Sequence, residues 1–160
     1  MKLLYSVICE HARSRPDGRV DLEGVFHELR ASGFPARQDD LTLVAVVEWG
    51  PRERGTIGFT VDCLDPAGRR YLRDEQGEFV KIAEGSTEVA DFGPEHGPPF
   101  TPFILPMRNL PFLKSGAHQF VLTIGKTPIK LARLHLIHVP EKATETVAGA
   151  GSGSGSGFGE

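Results

Sequence analysis

The sequence predicts an all-β protein: an immunoglobulin-like or C2-like antiparallel β-sandwich of about seven to nine strands, occupying residues 1–139. Three observations point there. Phe120, Leu122 and Ile124 alternate with Gln119, Val121 and Thr123, the period-two pattern of a strand with one buried face. Glycine and proline fall between short apolar runs, where hairpin corners need them. No segment shows a sustained helical period.

The totals narrow the class. A chain of 160 residues suits one domain. A formal charge of −3 disfavours a sequence-independent nucleic-acid binder, which needs a basic face to displace counterions. The apolar run Leu3 to Cys9 is broken by Ser6 and stopped by Glu10, too short to span a membrane and without a cleavage site. The expectation is a cytoplasmic protein with no membrane association. Cys9 and Cys63, both in predicted strands, are then expected to be reduced and buried; the alternative is a bridge across the sandwich.

In chain order, Lys2 to Cys9 opens the first strand. Pro16-Asp17-Gly18 carries turn chemistry, with Gly18 placed for a positive φ. If Arg15 faces Arg19 across that turn, Arg13 falls opposite Asp21, His11 opposite Glu23, Cys9 opposite Val25 and Ile8 opposite Phe26. Gly24 interrupts the return strand and reads as a bulge. Leu41 to Val47 is apolar almost throughout, so it reads as a central strand covered on both faces. Thr56 to Leu64 alternates, with Ile57, Phe59, Val61 and Cys63 on one face. Asp65-Pro66-Ala67-Gly68 is a turn leading to a short strand at Tyr71-Leu72. Asp91 to Pro102 is too rich in glycine and proline for a central strand, and Pro106 and Pro111 confine Met107 to Leu110 to an edge or crossover.

Pro111 to Val139 forms the closing hairpin. Read with Gly125-Lys126-Thr127-Pro128 as a four-residue loop, it brings His118 opposite His135. Gln119 then points to solvent and is expected to be dispensable. Residues 140–160 turn polar and then Gly/Ser-rich, a composition that cannot offset the entropy of ordering. They read as a flexible tail.

Chemistry-bearing residues are sparse. His135 and His138 lie three apart, on opposite faces of a strand, so they do not chelate together. Asp39, Asp40, Asp62 and Asp65 lack the spacing of a calcium loop. Cys9-Glu10-His11 are strand neighbours, not a facing nucleophile and base. No catalytic, cofactor-binding or metal-binding residue is assigned, and no cofactor is expected. The best recognition surface is the Gly/Pro-rich segment with Phe92, Glu95, His96, Phe100 and Phe103. The pair His118 and His135 joins it as a contact at a sheet end or protomer boundary.

Several local motifs recur in one order: Lys2-Leu3-Leu4-Tyr5, Cys9-Glu10-His11-Ala12-Arg13, Arg15-Pro16-Asp17-Gly18-Arg19, Gly24-Val25-Phe26-His27, Gly33-Phe34-Pro35-Ala36 and Leu64-Asp65-Pro66-Ala67-Gly68. Over roughly Met1 to Pro140 the chain resembles an uncharacterised bacterial family of small proteins, a domain of unknown function. The resemblance implies a small all-β fold and transfers no catalytic residue. The functional expectation is a non-enzymatic protein-interaction or assembly module, with a protein partner or a second copy of itself. A small-ligand or carbohydrate-binding sandwich is the alternative, and a metal-dependent enzyme the third.

Overall fold

A computed structural model describes residues 1–90, 93 and 95–141; Phe92 and most of the 140–160 tail lie outside them. The described residues form nine strands: β1 (Lys2–Ser14), β2 (Val20–Phe26), β3 (Glu28–Ala31), β4 (Ala36–Glu48), β5 (Gly55–Leu64), β6 (Ala83–Val89), β7 (Phe100–Phe112), β8 (Gly116–Ile124) and β9 (Thr127–His138). One sheet has the order β2-β1-β4-β7 and the other β3-β9-β8-β5-β6. All pairings are antiparallel except β3 with β9. The two sheets pack as a β-sandwich.

The main core is what alternation predicts. Leu41, Leu43, Ala45 and Val47 of β4 join Phe103 and Met107 of β7, meeting Val61, Cys63, Phe120, Leu122 and Leu134 of the other sheet. The ring of Phe59 stands edge-on to Phe103 across the layer, centroids 5.0 Å apart. Trp49 closes one end, its indole N–H donating to Thr101 Oγ1 at 2.8 Å.

The β1–β2 register is the expected one. Arg13 pairs with Asp21, His11 with Glu23, Cys9 with Val25 and Ile8 with Phe26. Arg15 N–H donates to the Arg19 carbonyl at 2.7 Å, and Gly18 has φ +79°. Gly24, expected as a bulge, causes no register shift. It takes φ +63° instead, with the Glu10 carboxylate lying over its Cα.

The closing hairpin departs from expectation. Its loop is two residues, Gly125-Lys126, because Thr127 and Pro128 already pair with Ile124 and Thr123. A bulge between Gln119 and Val121 shifts the register, so His118 faces Leu134 and His135 faces Ala117. Gln119 is half-buried and fastens that irregularity. Its Nε2 donates to the carbonyls of Leu131 (2.7 Å) and Phe120 (2.9 Å), while Oε1 accepts from Arg133 at 3.0 Å. The expected strand at Tyr71-Leu72 is absent among the described residues, where two isolated bridges, Leu64 with Arg70 and Arg73 with Phe79, hold the segment. β7 runs unbroken through Pro102, Pro106 and Pro111 at a sheet edge, where the missing amides leave no ladder bond unmade on the free side.

The coverage of β4 on both faces has a specific cause. Val44 and Val46 point away from the main core, yet neither is exposed, and Cys9 beside them is fully buried. The chain covering them is the β1–β2 hairpin. A straight strand would carry Ser14 about 40 Å from Lys2 at about 3.3 Å per residue. Lys2 pairs with Glu48 and Glu48 with Phe100, yet Gly18 rests against the Phe100 ring. Residues 10–24 therefore fold back over the outer face of their own sheet. Thr42 Oγ1 donates to the Glu10 carbonyl at 3.1 Å beneath the bend. Val20 and Gly18 line one groove with Tyr5, Val46 and Phe100. This arm is a third layer with a small apolar floor of its own.

Candidate functional site

The residues singled out from the sequence fall in three places. Glu95, His96 and Phe100 lie together at the end of the sandwich where β4 finishes and β7 begins. His96 N–H donates to the Gly93 carbonyl at 2.9 Å, and its Nδ1 stands 3.4 Å from Glu95 Oε1. Phe103 does not join them. It pairs with Ala45 and is buried in the main core, so it offers no surface to a partner.

His118 and His135 do not meet either. His118 is wholly buried at the opposite end of β7, its ring 5.0 Å from Phe112 and 5.7 Å from Tyr71. His135 lies exposed on the outer face of β9, beside Glu28 of β3. Even numbering on β8 turns inward with Phe120, so the bulge sends the two imidazoles to opposite sides of the sheet.

The surface at Phe100 is assembled from parts that sequence reading assigned to other roles. Phe100 is 50% exposed, Leu4 43% and Tyr5 41%, a concentration of large apolar side chains at one corner. Two shallow grooves flank the contact between Phe100 and Gly18. One, of about 420 Å³, is lined by Ser14, His96, Pro98, Pro99 and Pro102. The other, of about 440 Å³, is lined by Leu4, Tyr5, Arg19, Val20 and Val46. The Pro99 carbonyl accepts from the Trp49 N–H at 2.8 Å, which ties the proline segment to the rigid end of β4. Tyr5 and Leu4 escaped notice because they sit in an ordinary strand pattern. The signal for them is the unbroken run Leu3-Leu4-Tyr5, which the bulge between Leu3 and Tyr5 accommodates.

The remaining polar groups are engaged structurally. Asp65 accepts from the Ala67 and Arg69 N–H groups, both at 2.9 Å, and lies 3.1 Å from Lys114 Nζ. Backbone donation from Arg69, then the Lys114 ammonium, hold its pKa down at about 2 despite burial. Asp62 lies 3.2 Å from Arg70 Nε. Cys63 is free, buried in the main core and pushed up to about 12 by desolvation. Cys9 is free beneath the arm and raised for the same reason. Tyr71 O–H donates to the Pro111 carbonyl at 2.9 Å, and burial raises its pKa. Among the described residues no three His, Cys, Asp or Glu side chains are grouped to hold a metal ion. No helix among them is long and apolar enough to cross a membrane.

The fold is thus that of an all-β sandwich with Leu4, Tyr5 and Phe100, three of its exposed large apolar side chains, at one outer corner. The chain belongs to a family of unknown function (DUF6941), whose model matches residues 4–137. That match spans β1 nearly to the end of β9, arm included. No curated protein and no solved structure matches the chain.

Proposed function

We propose that this chain is a non-enzymatic protein-interaction or assembly module that takes a protein partner at the Phe100 corner. The observation that carries the reading is the exposure of Leu4, Tyr5 and Phe100 together, beside Pro98, Pro99 and Pro102. Aromatic side chains on a rigid scaffold supply large contact area at small entropic cost, which is why they anchor protein interfaces. The test is a photo-crosslinking residue at position 100 in the native host, with one at Thr123 on the far sheet as control. A discrete adduct at 100 that is lost on Tyr5→Ser supports the reading. Equal labelling at both positions, or none, sinks it.

A second reading keeps the same corner for a small ligand or carbohydrate, because Tyr5 and Phe100 both border one groove and could stack on a sugar ring. A glycan array with the purified protein separates the two. A metal-dependent enzyme is the weakest reading. The immunoglobulin-like assignment draws support from β5, β8 and β9 lying side by side and facing β1, β4 and β7, the division expected of that topology. Two free thiols support a reducing, cytoplasmic location.

A further inference from the structure

We infer that the β1–β2 arm is a hinged strap, which lifts about Glu10 and Gly24 and uncovers Val44, Val46 and Cys9 while the sandwich stays folded. Three observations carry this. The first is how the arm is held. The backbone pairing of β2 is with β1 alone, at the end of the sheet order, so the arm beyond Cys9 and Val25 adds no ladder bond to β4 or β7. Its ion pairs are internal: Asp21 binds Arg13 at 2.9 Å and Arg15 at 2.8 Å, and Arg19 stands 3.6 Å from Asp17. Attachment to the sheet rests on the Thr42 to Glu10 hydrogen bond, the Gly18 contact with Phe100, and the half-buried side of the arm. A two-stranded hairpin with so few ties is marginal in water, whereas the ladders beneath it are paired on both sides.

The second observation is a hinge. Gly24 has φ +63°, and the Glu10 carboxylate lies so close that a Cβ there would sit 2.6 Å from Oε2. Both strands of the arm therefore turn at one level, with the residue best able to absorb a φ change on one side. The pairs just below, Cys9 with Val25 and Ile8 with Phe26, stay in the sheet. The third observation is what the arm hides. Val44, Val46 and Cys9 are buried but stand apart from the main core, so their cover can leave without opening it. The Cys9 thiol itself is tied to the sheet, donating to the Thr42 carbonyl at 3.7 Å.

This inference does not rest on the partner proposed above, and the two cysteines make it measurable. Cys9 reports the arm and Cys63 the main core. The full chain is treated with a small thiol reagent under native conditions, and labelling at each cysteine is followed by mass spectrometry. Cys9 is expected to react at least about tenfold faster than Cys63, at a rate that low urea scarcely changes, as local opening requires. Phe100→Ala, which removes the clasp at Gly18, should raise the Cys9 rate further and leave that of Cys63 unchanged. Equal rates with equal urea dependence, or no reaction at Cys9, would overturn the strap. Should Phe100→Ala disturb the whole fold, amide exchange in the wild-type protein still decides. Strap amides at Arg13 and Asp21, which exchange hydrogen bonds two steps below the Arg15–Arg19 bond, must exchange by openings smaller than those of β8; if they exchange together with β8, there is no strap.

Discussion

The imidazole of His118 stands edge-on to the Phe112 ring, centroids 5.0 Å apart and planes at 79°, with no access to solvent. Its Nδ1 lies 3.3 Å from the Gly116 carbonyl, and its Nε2 has no hydrogen-bond partner among the described residues. Tyr71 covers another side, and the charged groups facing it are Asp65 and Lys114. Desolvation outweighs the Gly116 carbonyl and Asp65, so the pKa falls below the ordinary 6.5.

Acid should therefore weaken the fold in two stages. Above 6.5 His118 is neutral in both folded and unfolded chains, and its full contribution is present. As pH drops through that value the unfolded chain takes up a proton that the native site resists, so stability declines. Asp65 adds a later loss between its ordinary 3.8 and about 2. Urea denaturation at about pH 7.5 and about pH 5.5 measures the first stage. His118→Leu should flatten it; an unchanged pH dependence would clear His118 of the role.

The facing of β8 can be tested with adjacent residues. Phe120 is fully buried, and Phe120→Ala should cost about 3–5 kcal/mol. Gln119→Ala should cost about 1 kcal/mol, since its bonds to the Leu131 carbonyl and Arg133 secure the bulge. That is more than a solvent-facing glutamine would cost. Chemical denaturation of both variants reads the difference directly.

Thr101→Val keeps the shape of the site but leaves the Trp49 indole N–H without its 2.8 Å acceptor. An orphaned buried donor costs about 1–3 kcal/mol. The chain has a single tryptophan, so its emission reports on this position without interference. A spectrum and stability both unchanged from wild type would mean that the bond contributes nothing.

Gly116→Ala should be among the most damaging small substitutions. Its φ of +116° already excludes an ordinary side chain, and a Cβ would sit 2.8 Å from the Pro66 ring. Strain at such a φ costs about 1–3 kcal/mol before the contact is counted. Gly55→Ala is the control, with φ +80° but open space around it. A thermal-melt ranking with the Gly55 variant lower would contradict the packing seen at Pro66.

What could be read from the sequence follows how local its determinants are. The β1–β2 register was legible because Pro16, Asp17 and Gly18 fix the turn, and Arg13 opposite Asp21 then confirms it. The β8–β9 register was not, since Thr127 and Pro128 read as turn residues although both pair in the ladder. The bulge opposite Phe120 left its trace on β9 alone, where the extra residue breaks the alternation and Leu131 and Leu134, three apart, are both buried. The folding back of the arm is a tertiary event; its one trace is that Val44 and Val46 are as apolar as Leu43 and Ala45. For the candidate site, the Gly/Pro segment located Glu95, His96 and Phe100. It also drew in Phe103, which a single further turn of alternation sends to the core.

The prolines of β7 bear on how this molecule behaves in a crowd. With Pro102, Pro106 and Pro111 on its rim, that border of the sandwich is a poor template for a neighbouring chain. The borders made by β2, β3 and β6 contain no proline. Any filament or strand-swapped dimer that forms at high concentration would therefore grow from those borders, and proline-scanning of β6 is where a search for a better-behaved variant should begin.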